Sequence, residues 1–259
     1  MHAEILLVKL VITPALIAIA TLVARRWGPG VAGWLAGFPL TSGPVSVFLA
    51  LEQGPAFAAD AAVGTLFGLA AMAICCLTYA RIAHAASWPV STGTGLLAFL
   101  ICGAALRRVP PSLPLAFALV CVVLALSAIA MPATALPGRG LSPRGWDLPL
   151  RMAVGTAVVL LLTGAASWLG PALSGLLSPV PVFLLVLAAF AHRTEGAEVS
   201  IRILLGGIVG SFAFAVFFLV VGAALDRLGI VATYTLASGS TMVVNSAVLV
   251  ASRRVLALS

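Results

Sequence analysis

The sequence predicts an all-α polytopic membrane protein. About nine transmembrane helices form one domain over residues 1–259, arranged as a 4+1+4 inverted-topology repeat with interrupted helices. Three observations carry this. Of 259 residues, 62% are hydrophobic and only 8% are charged, too few charges to cover a soluble domain. Apolar runs of about 20 residues, the length that crosses hydrocarbon, recur along the chain. The Gly and Pro positions of the first half also return in the second at a fixed offset.

The elements follow in order. Span 1, about 4–25, lies in "MHAEILLVKLVITPALIAIATLVARRW". Its basic residues mostly follow the apolar stretch and no A-x-A site precedes them, so it reads as a span rather than a signal peptide. RRWGPG separates it from span 2, about 31–51, which carries Gly37, Pro39, Gly43 and Pro44 at its centre. EQGPAF leads into span 3, about 57–83, and the segment His84 to Trp88 into span 4, about 88–107. RRVPPS precedes span 5, 112–134. The longest and most polar loop, Pro137 to Arg144, precedes span 6, about 148–168. LGP, HRTEGAE and DRLG then mark off spans 7, 8 and 9, about 172–192, 198–225 and 230–253.

The net charge of +7 is not a nucleic-acid signal, because the basic residues are scattered at span ends. One side receives ten of the 14 basic residues: Arg25, Arg26, Arg81, Arg139, Arg144, Arg151, Arg193, Arg202, Arg253 and Arg254. Lys9, Arg107, Arg108 and Arg227 fall on the other. The basic side is cytoplasmic by the positive-inside rule. That sets the N-terminus outside and the C-terminus inside a bacterial-type inner membrane. Trp27, Trp88 and Trp146 sit near the cytoplasmic boundary.

An offset of 142 residues places Gly28, Pro29, Gly33, Pro39, Gly54, Gly64 and Gly68 on Gly170, Pro171, Gly175, Pro181, Gly196, Gly206 and Gly210. Chance would give about two to three such coincidences. Lys9 falls on Arg151 and Asp60 on Arg202. With four residues added, Arg107 and Arg108 fall on Arg253 and Arg254. Residues 5–109 are then repeat 1, 147–255 repeat 2, and 112–134 the connector. One connecting span inverts the second copy, a plan common among secondary transporters. The competing reading is convergence between Gly-rich membrane segments. Non-helical backbone at membrane depth must be buried in protein or line a cavity. Expected breaks are Gly37–Pro44 with Ser178–Pro181, and Ser91–Gly95 with Ser238–Thr241. Crossed, interrupted helices in two inverted repeats resemble the plan of the bile-acid-symporter and AbrB-like transporter superfamily. The resemblance implies a fold with a central site and carries no substrate. This chain has nine expected spans where that plan usually has ten, and no intramembrane acidic residue matches the symporters' sodium sites.

Candidate solute-binding residues are the hydroxyls beside the breaks, Thr41, Ser42, Ser91, Thr92, Thr94, Ser238, Ser240 and Thr241, with Asn245, the chain's only Asn. Hydroxyls and freed amides at a half-helix N-terminus attract anions. Asn offers both donor and acceptor. The competing reading is local bonding to a carbonyl one turn back. Lys9 with Asp60, and Arg151 with Glu198, would form one gating ion pair per face. Snorkelling to headgroups competes with that role. Gly64-x-x-x-Gly68 and Gly206-x-x-x-Gly210 suit close helix packing within the bundle or at a homodimer contact. The four cysteines lie in apolar runs without ligand spacing, so packing and no metal are expected. No paired carboxylates, HExxH or Walker motif supports an enzyme or a cofactor. The expected function is secondary transport of a small polar solute, anionic or zwitterionic, by alternating access. The partners are the lipid bilayer and the solute, with no nucleic acid. The alternatives are a non-transporting accessory subunit of an envelope pathway, or a channel.

Overall fold

The computed structural model describes residues 10, 11, 14, 15, 18, 19, 22, 39, 42–134 and 147–257. Among these residues the secondary structure is entirely helical. The helices are α1 (Ser42–Glu52), α2 (Pro55–Ile82), α3 (Trp88–Leu106), α4 (Leu113–Ala130), α5 (Asp147–Gly164), α6 (Ala166–Leu177), α7 (Val182–Glu195) and α8 (Ala197–Ala257). Four are long and apolar enough to cross a membrane: α2, α3, α4 and the described part of α8. Proline stands in the first turn of α2, α3 and α4, where its missing N–H costs no hydrogen bond.

The helix α2 is the centre of the bundle. Its Ala- and Gly-rich surface is buried along most of its length, against α1, α3, α4, α6 and α8. By contrast α3 buries one stripe, Ser91, Gly95, Phe99 and Gly103. The connector α4 buries another, Ala116, Val120, Leu124 and Ser127. Both stripes follow the three- and four-residue spacing of one helix face. Their opposite faces expose Leu97, Leu100, Ile101, Val122, Leu126 and Ile129, as surfaces solvated by lipid would.

Of the expected breaks, Ser178–Pro181 is present: α6 ends at Leu177 and α7 begins at Val182. On the other side of the repeat, only Pro39 and Ser42 onward are described, and the helix runs from Ser42. The second expected pair is corrected. Ser91–Gly95 lies inside continuous α3, and Ser238–Thr241 lies inside α8, whose one non-helical residue is Gly229 (φ 73, ψ 177). The physical reason is local. The hydroxyls of Thr92, Thr94, Ser240 and Thr241 donate to carbonyls three or four residues back, so the clusters decorate the helix rather than open it.

Helix starts recur at the same 142-residue offset as the Gly and Pro positions. Pro55 and Ala197 open α2 and α8, each after a glycine of positive φ: Gly54 at φ 98, ψ 161 and Gly196 at φ 99, ψ 172. Trp88 opens α3, and Ile230 opens the second limb of α8. The Gly54 and Gly196 conformation is one that only glycine adopts without strain. Gly54→Ala and Gly196→Ala are each expected to cost about 1–3 kcal/mol. Thermal unfolding in detergent checks this; a loss at one position only would mean that the two turns are not equivalent.

Candidate functional site

The site lies where the first turn of α1 meets the α6–α7 break. Ser42, in the first turn of α1, donates its hydroxyl to the Ser178 carbonyl across 3.0 Å, and both residues are buried. That carbonyl is one of those the end of α6 leaves without a helical partner. One turn along α1, the Ser46 hydroxyl lies 2.6 Å from the Tyr234 hydroxyl on the second limb of α8. Tyr234 also packs against the ring of Phe217 on the first limb. The hydroxyls of Ser174 and Ser178 are buried and have no hydrogen-bond partner among the described residues. Ser174 lies in the last turn of α6 and Ser178 caps that helix, four residues ahead of the start of α7 and beside the first turn of α1. The first amides of α7 carry partial positive charge, the local chemistry that suits a carboxylate or small anion; in α1 the Gly43 N–H already donates to the Pro39 carbonyl across 2.7 Å and Pro44 has no N–H.

What holds the crossing is a seam of backbone against backbone. A Cβ built on Gly64 would lie 3.1 Å from the Leu176 nitrogen, and one on Gly68 would lie 2.6 Å from Pro179 Cγ. A Cβ on Gly175 would lie 2.9 Å from the Thr65 nitrogen and would strike the Ala61 carbonyl. Gly64-x-x-x-Gly68 thus packs α2 on α6 within the bundle, directly beneath the break. Gly206 meets no described residue. Under the offset its counterpart segment would be 30–37, which lies outside the described residues. Gly210 is buried in α8.

The other expected site residues are distributed as follows. Thr41 lies outside the described residues. Ser91 is fully buried and its hydroxyl has no partner among the described residues, and the same holds for Thr233, its counterpart at the 142-residue offset. Ser238 is half-buried. Asn245 is 5% exposed and continues the buried stripe Thr233, Ala237, Thr241 along α8. Of the gates, Lys9 and the Arg151 side chain lie outside what is described. Asp60 is exposed, while Glu198 is half-buried with Oε2 unpartnered among the described residues.

Sequence reasoning passed over the two tyrosines. Each is bonded to a residue distant in the chain, Tyr234 to Ser46 and Tyr79 to His192. The signal was available: a phenol in apolar surroundings needs a partner for its hydroxyl, and the chain has only two. Comparison with protein-family models, with curated proteins and with solved structures finds no match.

Proposed function

We propose that the protein is a secondary transporter that moves a small polar solute by alternating access, with the solute held at the crossing of α1 and the α6–α7 break. The observation that carries this reading is the Ser42 to Ser178 bond. It joins the first turn of α1 to the α6–α7 interruption, two places that sequence analysis paired by symmetry, and unpaired backbone at membrane depth has no reason to persist unless it is used. The amides and hydroxyls there favour a solute with a carboxylate or another anionic group. No carboxylate lies at the crossing among the described residues.

An inverted 4+1+4 repeat is part of this proposal. It is supported by the matched Gly54 and Gly196 conformations, the helix starts at Pro55/Ala197 and Trp88/Ile230, and the buried hydroxyls of Ser91 and Thr233, neither with a partner among the described residues. The architecture this implies is that of the bile-acid-symporter and AbrB-like superfamily. We place the protein in a bacterial-type inner membrane, N-terminus outside and C-terminus inside. Reporter fusions at the two ends check this: signals from opposite faces are expected, and signals from the same face would remove the odd span count that inverts the repeat.

The transport reading is tested with purified protein. A thermal-shift screen across metabolite classes is expected to pick out carboxylates or other small anions. The stabilising class is then offered to proteoliposomes. A screen with no stabilising class and vesicles with no uptake would favour the accessory-subunit reading, which the self-bonded hydroxyls of α3 and α8 suit.

A further inference from the structure

A hydrogen bond beside the crossing ties α1 to the second limb of α8. Ser46 is 4% exposed and lies one turn beyond Ser42 on α1, and its Oγ is 2.6 Å from the Tyr234 hydroxyl oxygen, at the short end of the O–H···O range. The Tyr234 ring packs on Phe217 of the first limb, centroid to centroid at 6.1 Å. Phe217 also lies against α1, where a Cβ on Gly43 would come 3.9 Å from its Cζ. The start of α1 and the two limbs of α8 thus close around one aromatic pair. One helical turn is about 5.4 Å, so this closure stands directly beside the Ser42 to Ser178 bond.

The matching place in the other half is built differently. The 142-residue offset sets Ser46 on Ala188 and Tyr234 on Thr92. Ala188 has no hydroxyl, and the Thr92 hydroxyl donates to the Trp88 carbonyl of its own helix across 2.7 Å. The bond therefore has no equivalent between α7 and α3. There α7 is held by α2 instead, with the Tyr79 hydroxyl 3.1 Å from His192 Nδ1. The offset sets that pair on Val221 and Ala50, which form no side-chain hydrogen bond. Two halves that turn alike at Gly54 and Gly196 are thus fastened differently at their ends.

We propose that the Ser46–Tyr234 bond is a latch that closes the crossing toward the outer face; this rests on the transport reading and the orientation above. In that orientation span 2 runs from inside to outside and span 9 returns. Ser46 lies six residues before the end of α1 at Glu52, and Tyr234 five residues after Gly229, so both stand in the outer half of the membrane. Breaking the bond lets α1 part from the second limb of α8 and admits water and solute to Ser42 and Ser178. Closing it shuts them off. The strength suits the task. A neutral hydrogen bond shifts a two-state equilibrium by about fivefold, enough to favour the closed arrangement and weak enough to break in each cycle. The bond between Tyr79 and His192 fastens different helices, α2 and α7, so the outer end opens without it. Because Ala188 and Thr92 cannot form the same bond, the latch acts at one face only.

Thiol accessibility tests the latch without any solute. Ser178→Cys places a probe at the crossing and keeps the main-chain carbonyl to which Ser42 donates. Ser174→Cys, at another buried hydroxyl without a partner among the described residues, is the second probe position. Cys75, Cys76, Cys102 and Cys121 are replaced by alanine. A membrane-impermeant thiol reagent is added to right-side-out and to inside-out vesicles of the full chain. Tyr234→Phe keeps the ring on Phe217 and removes only the hydroxyl; Ser46→Ala removes the other partner. Each is expected to speed labelling from the outside by about fivefold, with no gain from the inside. The double variant should match the single ones, since both remove the same bond. Thr92→Val should leave labelling as it is. Unchanged labelling in both single variants, fully additive effects in the double variant, or a rise at the inner face overturns the proposal. Ser46→Ala alone decides the matter where Tyr234→Phe does not stay monodisperse. A rise from the outside in a protein that takes up no solute supports the latch and sinks the transport reading. Uptake by a protein whose labelling ignores both substitutions sinks the latch alone.

Discussion

Gly175→Val is expected to be among the most destabilising single changes in the chain, costing about 3 kcal/mol or more. At this position α6 lies against α2 with no room for a side chain: a Cβ would strike the Ala61 carbonyl and sit 2.9 Å from the Thr65 nitrogen and 2.8 Å from the Ala61 carbonyl carbon. These are main-chain atoms of the most buried helix in the bundle, so no rotamer change relieves the clash. The two helices must separate, and the separation takes with it the packing of Gly68 on Pro179 and the Ser42 to Ser178 bond. In a membrane this loss is felt fully, because close approach of small residues is what holds helices together when lipid offers the same apolar contact as protein. Gly93→Ala is the control. Gly93 is exposed in α3 and a Cβ there meets nothing within 4 Å, so helix propensity alone acts, favouring alanine by roughly 0.8–1.0 kcal/mol. Monodispersity and thermal unfolding in detergent separate the two outcomes. Equal stability of both variants would show that the α2–α6 seam yields where its geometry says it cannot.

The contrast between these glycines shows what was legible in the sequence. Hydropathy located α2, α3 and α4 within a few residues, because a run of apolar side chains in lipid has no alternative to a helix. The Gly64 and Gly68 spacing announced a close contact but not its partner, since spacing within one helix says nothing about which neighbour fills the groove. The Ser178–Pro181 break was legible because two prolines, Pro179 and Pro181, remove two amides in four residues. The expected breaks at Ser91–Gly95 and Ser238–Thr241 rested on Ser, Thr and Gly alone. Each of those residues can stay helical, and the hydroxyls did so by bonding backward. Tyr79 with His192 and Tyr234 with Ser46 were out of reach for another reason. Their separations of 113 and 188 residues depend on how the halves pack, and no local pattern encodes that.

Healing the break gives the sharpest test of function. In Pro179→Ala/Pro181→Ala both missing amides return, and the steric clash of each ring with the carbonyl four residues back disappears. A proline inside a helix costs about 3 kcal/mol, so Pro179 and Pro181 oppose a continuous helix through the break, and the two substitutions remove that obstacle. If the break only shaped the bundle, the doubly substituted chain would lose Pro179 from its seat on Gly68 and gain little else. If the break is the solute site, removing it draws the Ser178 carbonyl into the helix, away from Ser42, and ends the free N-terminus of α7. The expected result is a folded, monodisperse protein with slightly more helix by circular dichroism and thermal stability at or above that of the natural chain. Uptake of the stabilising solute in proteoliposomes should fall by about tenfold or more, equivalent to losing roughly 1.4 kcal/mol at the site. Stability and activity would then move in opposite directions, which a merely structural break cannot produce. Full uptake by the healed protein would take the Ser42–Ser178 crossing out of the transport path.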